Sequence, residues 1–150
     1  MFDKILVPLD GSKRAEKILP YVENLAKRVG TSKVFLLGVI ESQTHFTSVY
    51  GMTYELNVEL FEQRENDARN YLALIQKRLQ EQGIQAEVLV EVGPVANTII
   101  EVADKHNVDL IAMASHGRTG LARVFYGSVA VGVMSKINRP LLIIRAESET

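Results

Sequence analysis

Five short stretches of the chain are mainly apolar, with little of the polar alternation of a half-exposed strand. They cover residues 4–9, 34–40, 86–92, 108–114 and 140–145. A strand of a parallel sheet is covered on both faces and therefore reads as a nearly continuous apolar run. Helical patterns separate the five stretches, and strands that alternate with helices are typical of parallel sheets. The sequence therefore predicts an α/β fold with helices on both faces of a five-stranded parallel sheet.

Four helical patterns lie between these stretches. They begin at Lys13, after about residue 55, at Gly93-Pro94 and at Ser128. In the first, an apolar face runs from Ala15 to Val29, and Gly30 is the expected end. Pro20 should bend this helix or mark a loosened turn, because proline lacks an amide donor. The second helix has an inner face formed by Phe61, Ala68, Tyr71, Leu72, Ile75 and Leu79.

The expected strand order is 3-2-1-4-5, that of a doubly wound, Rossmann-like sheet. In this order the winding reverses between the first and fourth strands, and a ligand binds beyond their carboxyl ends. Those two ends carry residues 10–12 (Asp-Gly-Ser) and 115–117 (Ser-His-Gly). The two strongest local signals of the sequence are therefore expected beside one crevice.

Length and composition limit the class of protein. The 150 residues suffice for one domain, 1–150, with a core of its own. The absence of cysteine excludes disulfides, thiolate catalysis and cysteine-ligated zinc. A formal net charge of −1 offers no electrostatic case for a nucleic-acid or membrane partner. No apolar run is long enough to span a bilayer, and the first residues do not resemble a signal peptide, so a cytoplasmic protein is expected.

The segment of residues 111–130 carries the strongest functional signal. An apolar strand is followed by a glycine-rich basic loop that ends at Gly127-Ser128, where a helix begins. Glycines let backbone N–H groups approach an anion, and a helix N-terminus adds unpaired donors and a favourable dipole. Arg118 adds positive charge, and Ser128 is the N-cap, a phosphate donor or both. The pattern favours phosphate binding, and the alternative is a surface connection with turn glycines.

Several other kinds of site are disfavoured. The chain has no Walker motif, and a single glycine after the first strand does not make a dinucleotide fingerprint. It has no Gly-x-Ser-x-Gly elbow of a serine hydrolase, and its three histidines lack matched acidic partners for a metal site. Asp10 is open between two roles. It is either a turn or N-cap carboxylate, or a ligand-binding one that accepts hydrogen bonds from ribose hydroxyls or a purine amine, or helps to hold a metal with the phosphates.

Five segments together form a recognisable pattern. They are residues 5–12 (ILVPLDGS), 109–113 (DLIAM), 115–121 (SHGRTGL), 127–130 (GSVA) and 139–145 (RPLLIIR). With them the chain resembles the universal stress proteins of the single-domain UspA type over nearly its whole length, apart from about residues 42–56. The ATP-binding branch of that family carries Gly, two residues, Gly, nine residues, then Gly-Ser or Gly-Thr. Here Gly117, nine residues and Gly127-Ser128 fit this spacing, and Ala114 occupies the position of the first glycine.

This resemblance implies a protein that binds ATP, or AMP or ADP, together with Mg²⁺. It would act as a stress-response sensor or switch with at most slow ATP hydrolysis, and Asp10 and Val39 would contact ribose and adenine. The implied cofactor-binding residues are Pro8, Leu9, Asp10, Val39, Met113, Ala114, His116, Gly117, Arg118, Gly127, Ser128, Val129 and Ala130. A homodimer is implied as well, paired through the fifth strand. The apolar residues 141–144 support it, because a partner would protect such an edge strand.

Two alternatives remain open. The first is a protein of the same family that does not bind ATP and acts through dimerisation and protein partners, and Ala114 favours it. The second is a phosphotransferase or other ATP-dependent enzyme, which would need a pair of carboxylates for a metal and an acceptor pocket. Beyond Asp10 the sequence does not point to such a pair, so no catalytic residue is assigned.

Overall fold

The computed structural model describes residues 1–41, 52–117 and 126–147, and of residues 52–57, 117 and 147 it gives only the backbone path. Within these ranges the strands are β1 Lys4–Pro8, β2 Lys33–Ile40, β3 Ala86–Val92, β4 Leu110–Gly117 and β5 Leu141–Glu147. The helices are α1 Lys13–Glu16, α2 Leu19–Val29, α3 Met52–Glu81, α4 Val95–Lys105 and α5 Ser128–Lys136. In the described part of the chain no helix combines the length and apolar character needed to cross a membrane.

The sheet confirms the predicted topology. Its strands run in the order β3-β2-β1-β4-β5, and all neighbours pair in parallel. The pairing of β1 with β2 continues to the carboxyl end of β1, at Pro8 opposite Leu37. The pairing of β1 with β4 stops earlier, at Leu6 opposite Ile111. The two central strands therefore separate towards their carboxyl ends, which leaves room for a ligand at the switch point.

The continuous apolar character of the strands follows from burial on both faces. Ile5 and Val7 of β1 pack into one cluster, shared with α1, α2 and α3, whereas Leu6 between them packs into a second cluster, shared with α4 and α5. All three side chains are fully buried. Because successive side chains of a strand point to opposite faces, both faces need apolar residues here. Helices on both faces, as predicted, are confirmed.

Two close approaches hold helices against their neighbours. On one face, α3 packs on β2, and a Cβ atom at Gly38 would lie 3.2 Å from Cδ1 of the fully buried Leu72. On the other face, α4 and α5 meet where a Cβ atom at Gly132 would lie 2.7 Å from Cβ of Ala96. A side chain at Gly132 would therefore push α5 away from α4. It would also displace the residues of these two helices that face the carboxyl ends of β1 and β4.

The first predicted helix is divided in two. α1 ends at Glu16 and α2 begins at Leu19, with Pro20 in its first turn, so the predicted loosened turn at this proline is confirmed. Gly30 adopts a left-handed conformation, φ 69°, and ends α2 as expected. The inward assignment of Val29 was wrong, because its side chain is 43% exposed at the last residue of the helix. α3 begins at Met52, earlier than the predicted start after residue 55.

β4 and β5 are both longer than predicted. The sequence places a loop after Ala114 and a polar tail from Ala146, but Ser115, His116 and Gly117 continue β4 and pair with residues 145–147 of β5. The polar character of these residues made them resemble a loop and a tail. Each extension supplies backbone hydrogen-bond partners for the other, and pairing of this kind does not depend on apolar side chains.

Candidate functional site

A crevice of about 480 Å³ lies at the carboxyl ends of β1 and β4, where the sequence places the ligand. That volume is in the range of small-molecule sites. It is lined by most of the residues predicted from the sequence: Pro8, Leu9, Asp10, Val39, Met113, Ala114, His116, Gly127, Ser128, Val129 and Ala130. Gly117 is the last residue of β4. Arg118 and Arg123, like residues 42–51, lie outside the described residues.

The structure adds lining residues that sequence reasoning missed. They include Arg14, Arg64, Val95, Ile99 and Tyr126, whereas Ser115 lines the crevice at the strand end where the sequence places it. For Arg14 a signal existed, because it follows Asp10 by four residues at the start of a predicted helix. No sequence signal pointed to Arg64, since its position relative to the crevice depends on how α3 packs across the sheet. Val95 and Ile99 form an apolar wall at the start of α4.

Asp10 is held by a turn between β1 and α1 and still offers an oxygen to a ligand. Its Oδ1 accepts a hydrogen bond of 2.9 Å from the amide of Ser12. Ser12 in turn caps α1, its Oγ accepting a hydrogen bond of 3.1 Å from the amide of Ala15. Oδ2 of Asp10 lies 3.8 Å from Nη2 of Arg14, and the Asp10 side chain is 61% exposed. The turn role and the ligand role thus use different oxygens of one carboxylate.

The N-terminus of α5 forms the facing side of the crevice. Gly127 is its N-cap, Ser128 to Ala130 form its first turn, and no side chain of residues 1–41, 52–117 or 126–147 caps this end. The carbonyl of Gly127 accepts the first helical hydrogen bond, 3.1 Å from the amide of Val131. The amides of the first turn have no acceptor within the helix, so they are available to an anion, which the helix dipole favours. This end of the crevice can therefore hold a phosphate group.

Gly127 has a role that the sequence analysis did not identify. Its φ is +84°, and a Cβ atom there would lie 2.7 Å from Cδ2 of His116. The ring of His116 therefore occupies the place that a side chain at Gly127 would need. The N-cap assignment of Ser128 was wrong, because Ser128 is the first residue of the helix and is exposed.

Tyr71 of α3 lies close to Asp10 and Glu16. Burial, and then the negative charges of Glu16 and Asp10, raise the pKa of its hydroxyl above the ordinary value. A side-chain hydrogen bond with Glu16 acts in the same direction. Tyr71 therefore stays neutral beside these two carboxylates.

Tyr126 connects the crevice to the edge of the sheet. It lines the crevice just before Gly127, and the guanidinium carbon of Arg145 on β5 lies 5.6 Å from the centre of its ring. This distance is within the range of cation–π contacts. The described residues contain no group of three or more His, Asp or Glu side chains that could hold a metal ion.

Comparisons of the sequence and of the fold with known proteins match the same family. The model of the Universal stress protein family matches residues 1–145. A universal stress protein of Methanocaldococcus jannaschii is 31% identical over 159 residues, covering 99% of this chain and 98% of that protein. Its solved structure has a TM-score of 0.82 and covers 100% of this chain and 99% of that one. A universal stress protein of Archaeoglobus fulgidus, solved in complex with dAMP, has a TM-score of 0.60 at 21% identity, covering 97% and 100%.

Proposed function

The chain belongs to the universal stress protein family, and from that premise we propose that its crevice binds an adenine nucleotide, ATP above all. The observation that carries the proposal is the juxtaposition across one crevice of an exposed carboxylate, Asp10, with the uncapped N-terminus of α5. A nucleotide has hydroxyl donors on its ribose and anionic oxygens on its phosphates, which complement these two ends. The complex of dAMP with a protein of the same fold adds support.

The proposed pose follows from the chemistry of the walls. The base lies on apolar surface that includes Val39, Val95 and Ile99, and backbone groups at the end of β2 read its edge. The ribose hydroxyls donate to Asp10. The phosphates face the amides of Ser128 to Ala130 at the N-terminus of α5, where the charge is stabilised by the helix dipole.

Magnesium is compatible with this pose. Mg²⁺ in nucleotide sites is held mainly by phosphates and water with one or two carboxylates, and Asp10 supplies one. Asp10 and Glu41 are the two carboxylates of the described residues that line the crevice, and no group of three or more His, Asp or Glu side chains among those residues could hold a metal ion. We expect slow hydrolysis at most, and a role for the nucleotide as a signal in a stress-response sensor or switch.

Calorimetric titration of nucleotide-free protein tests the proposal. ATP with Mg²⁺ is expected to bind in the micromolar range, and GTP at least tenfold more weakly, a difference of about 1.4 kcal/mol. The discrimination arises because an amine at the base edge suits backbone carbonyls that a guanine oxygen would face unfavourably. Absence of binding at millimolar ATP would refute the proposal.

The Asp10→Ala substitution is expected to weaken nucleotide binding by about 1–2 kcal/mol, since a buried ribose hydroxyl would lose its acceptor. The same change removes the hydrogen bond to the amide of Ser12, so thermal unfolding must be measured beside affinity. Asp10→Asn separates the two roles, because it keeps an Oδ1 acceptor for Ser12 and loses the negative charge. Lower stability of the alanine variant with unchanged affinity would reduce Asp10 to a turn residue.

We also propose a homodimer in which β5 pairs with its copy across a two-fold axis. β3 and β5 are the two edges of the sheet. β3 carries Glu87 and Glu91, and such charges discourage strand addition, whereas residues 141–144 of β5 are apolar and half-buried. The β5 edge is therefore the one that gains from a partner.

Light scattering after size exclusion tests the dimer. The mass is expected at twice the 16.7 kDa of the chain. Ile143→Glu should shift the mass to that of the monomer, because a charge would be buried at the paired edges. Glu91→Gln, the matched change on the opposite edge, should leave the dimer intact. A monomeric wild-type protein, or a dimer that persists in folded Ile143→Glu, would contradict the assignment.

One observation favours a second candidate function, a member of the family that works through protein contacts without ATP. The half-buried Ala114 lines the crevice at the position where the ATP-binding pattern has a glycine, and its methyl group takes part of the space there. Ala114→Gly separates the candidates. Tighter ATP binding by this variant identifies a tolerated substitution, whereas absence of binding by both proteins favours the second candidate.

A further inference from the structure

Two arginines reach the crevice from the face of the sheet opposite to α5. Arg14 lies on α1 and Arg64 on α3, and both line the crevice. Their helices pack on the cluster that contains Ile5, whereas α5 packs on the cluster that contains Leu6. The crevice thus has positive groups on the side of Asp10, in addition to the helix N-terminus on the other side.

The N–H donors of these two arginines make no hydrogen bond to a carboxylate of the described residues, whereas those of several other arginines do. Nη2 of Arg14 lies 3.8 Å from Asp10, which is charge proximity and too long for a hydrogen bond. Arg64 has no ion pair or hydrogen bond with any of the described residues. By contrast, Arg69, Arg78 and Arg139 each contact a carboxylate, the first two at 3.1 and 2.7 Å. Two guanidinium groups, on helices of the same face of the sheet, are therefore available to the crevice.

We propose that Arg14 and Arg64 form a second anion subsite, which takes a phosphate group on the ribose of the bound adenine nucleotide. The inference rests on the proposed pose, in which the 5′-phosphates face α5 and the ribose hydroxyls face Asp10. A phosphate on the 2′ or 3′ oxygen then lies on the side of the two arginines. Guanidinium groups bind phosphate through paired N–H donors, and Arg14 offsets the repulsion between that phosphate and Asp10.

The affinities for two isomeric nucleotides distinguish a phosphate subsite at the ribose from a general preference for negatively charged ligands. Adenosine 3′,5′-bisphosphate and ADP both carry two phosphates, and only the first carries one on the ribose. In calorimetry without Mg²⁺, the 3′,5′-bisphosphate is expected to bind at least about tenfold tighter than AMP, the size of effect that charged hydrogen bonds supply. Arg14→Ala and Arg64→Ala should each lower the ratio of the affinity for the 3′,5′-bisphosphate to the affinity for AMP, and should leave the affinity for ADP, the control for charge, unchanged. The double variant should bring that ratio to one or below.

Arg69→Ala is the matched control, an arginine on the same helix as Arg64 that is paired with Glu65 and does not line the crevice. It should keep the wild-type ratio. Equal binding of AMP and the 3′,5′-bisphosphate by the wild-type protein would overturn the subsite while leaving the proposed function standing. If the double variant keeps the wild-type ratio of the two affinities, other groups bind the second phosphate, and the proposed subsite is overturned as well. Failure to bind AMP at all would refute both the subsite and the proposed function.

Discussion

The Gly127→Ala protein is expected to bind ATP about a hundredfold more weakly than the wild type. The backbone at Gly127 has φ +84° and ψ 154°, a combination essentially restricted to glycine, so alanine adopts it only at a cost of about 1–3 kcal/mol. The new methyl group would also meet the ring of His116 at 2.7 Å. Relief of either strain moves the N-terminus of α5, whose amides the phosphates need. Calorimetry with ATP and Mg²⁺ measures the loss.

Gly83→Ala is the control for the backbone part of this effect. Gly83 has φ +79°, and a Cβ atom there would have no neighbour within 4 Å. Its substitution should lower stability and leave affinity unchanged, because Gly83 lies outside the crevice. Combining His116→Ala with Gly127→Ala removes the clash and keeps the backbone strain, so part of the affinity should return. Wild-type affinity in Gly127→Ala would show that this position does not shape the phosphate site.

The Leu72→Ala substitution is expected to lower the free energy of unfolding by about 2–5 kcal/mol. Leu72 is fully buried between α3 and β2, and its removal leaves a cavity beside Gly38, which has no side chain of its own to fill the space. A loss of this size is a large part of the stability of a typical domain. Urea unfolding followed by circular dichroism measures it.

Leu74→Ala provides the matched control on the same helix. Leu74 is 72% exposed, so its substitution should change the free energy of unfolding by less than about 0.5 kcal/mol. Similar losses in the two variants would mean that the face of α3 is assigned incorrectly. A loss below about 1 kcal/mol in Leu72→Ala would point to a core that repacks around the cavity.

The fold was predictable because its strands are short apolar runs that are separated by amphipathic helices. The order 3-2-1-4-5 followed from the fold class, and Pro20 and Gly30 marked real breaks through their backbone constraints. The errors in strand length concerned residues whose polar sequence suggests a loop but whose pairing with a distant strand makes them part of the sheet. Residues 115–117 look like a loop, but they are strand because β5 extends beside them. Pairing between distant segments leaves no trace in the periodicity of either one.

The candidate site was predictable to the extent that it is local. Asp10 and Gly127 stand at strand and helix ends that a single segment identifies, and the structure brings them to one crevice. Arg64 lies on a helix of 30 residues, and nothing in that helix tells which turn reaches the crevice. The close approach of Gly127 to His116 was also hidden, since it depends on where α5 begins relative to β4.

The contrast between the two edge strands limits how far this sheet can grow. Strand addition continues into a filament when both edges of every chain accept a neighbour. Here β3 carries Glu87 and Glu91 among its apolar residues, while residues 141–144 of β5 carry no charge. In the proposed dimer, pairing through β5 would use up both uncharged edges and leave outward the β3 edges, which carry glutamates. Association through the sheet would then end at two chains, and a higher protein concentration would fill that pairing without extending it.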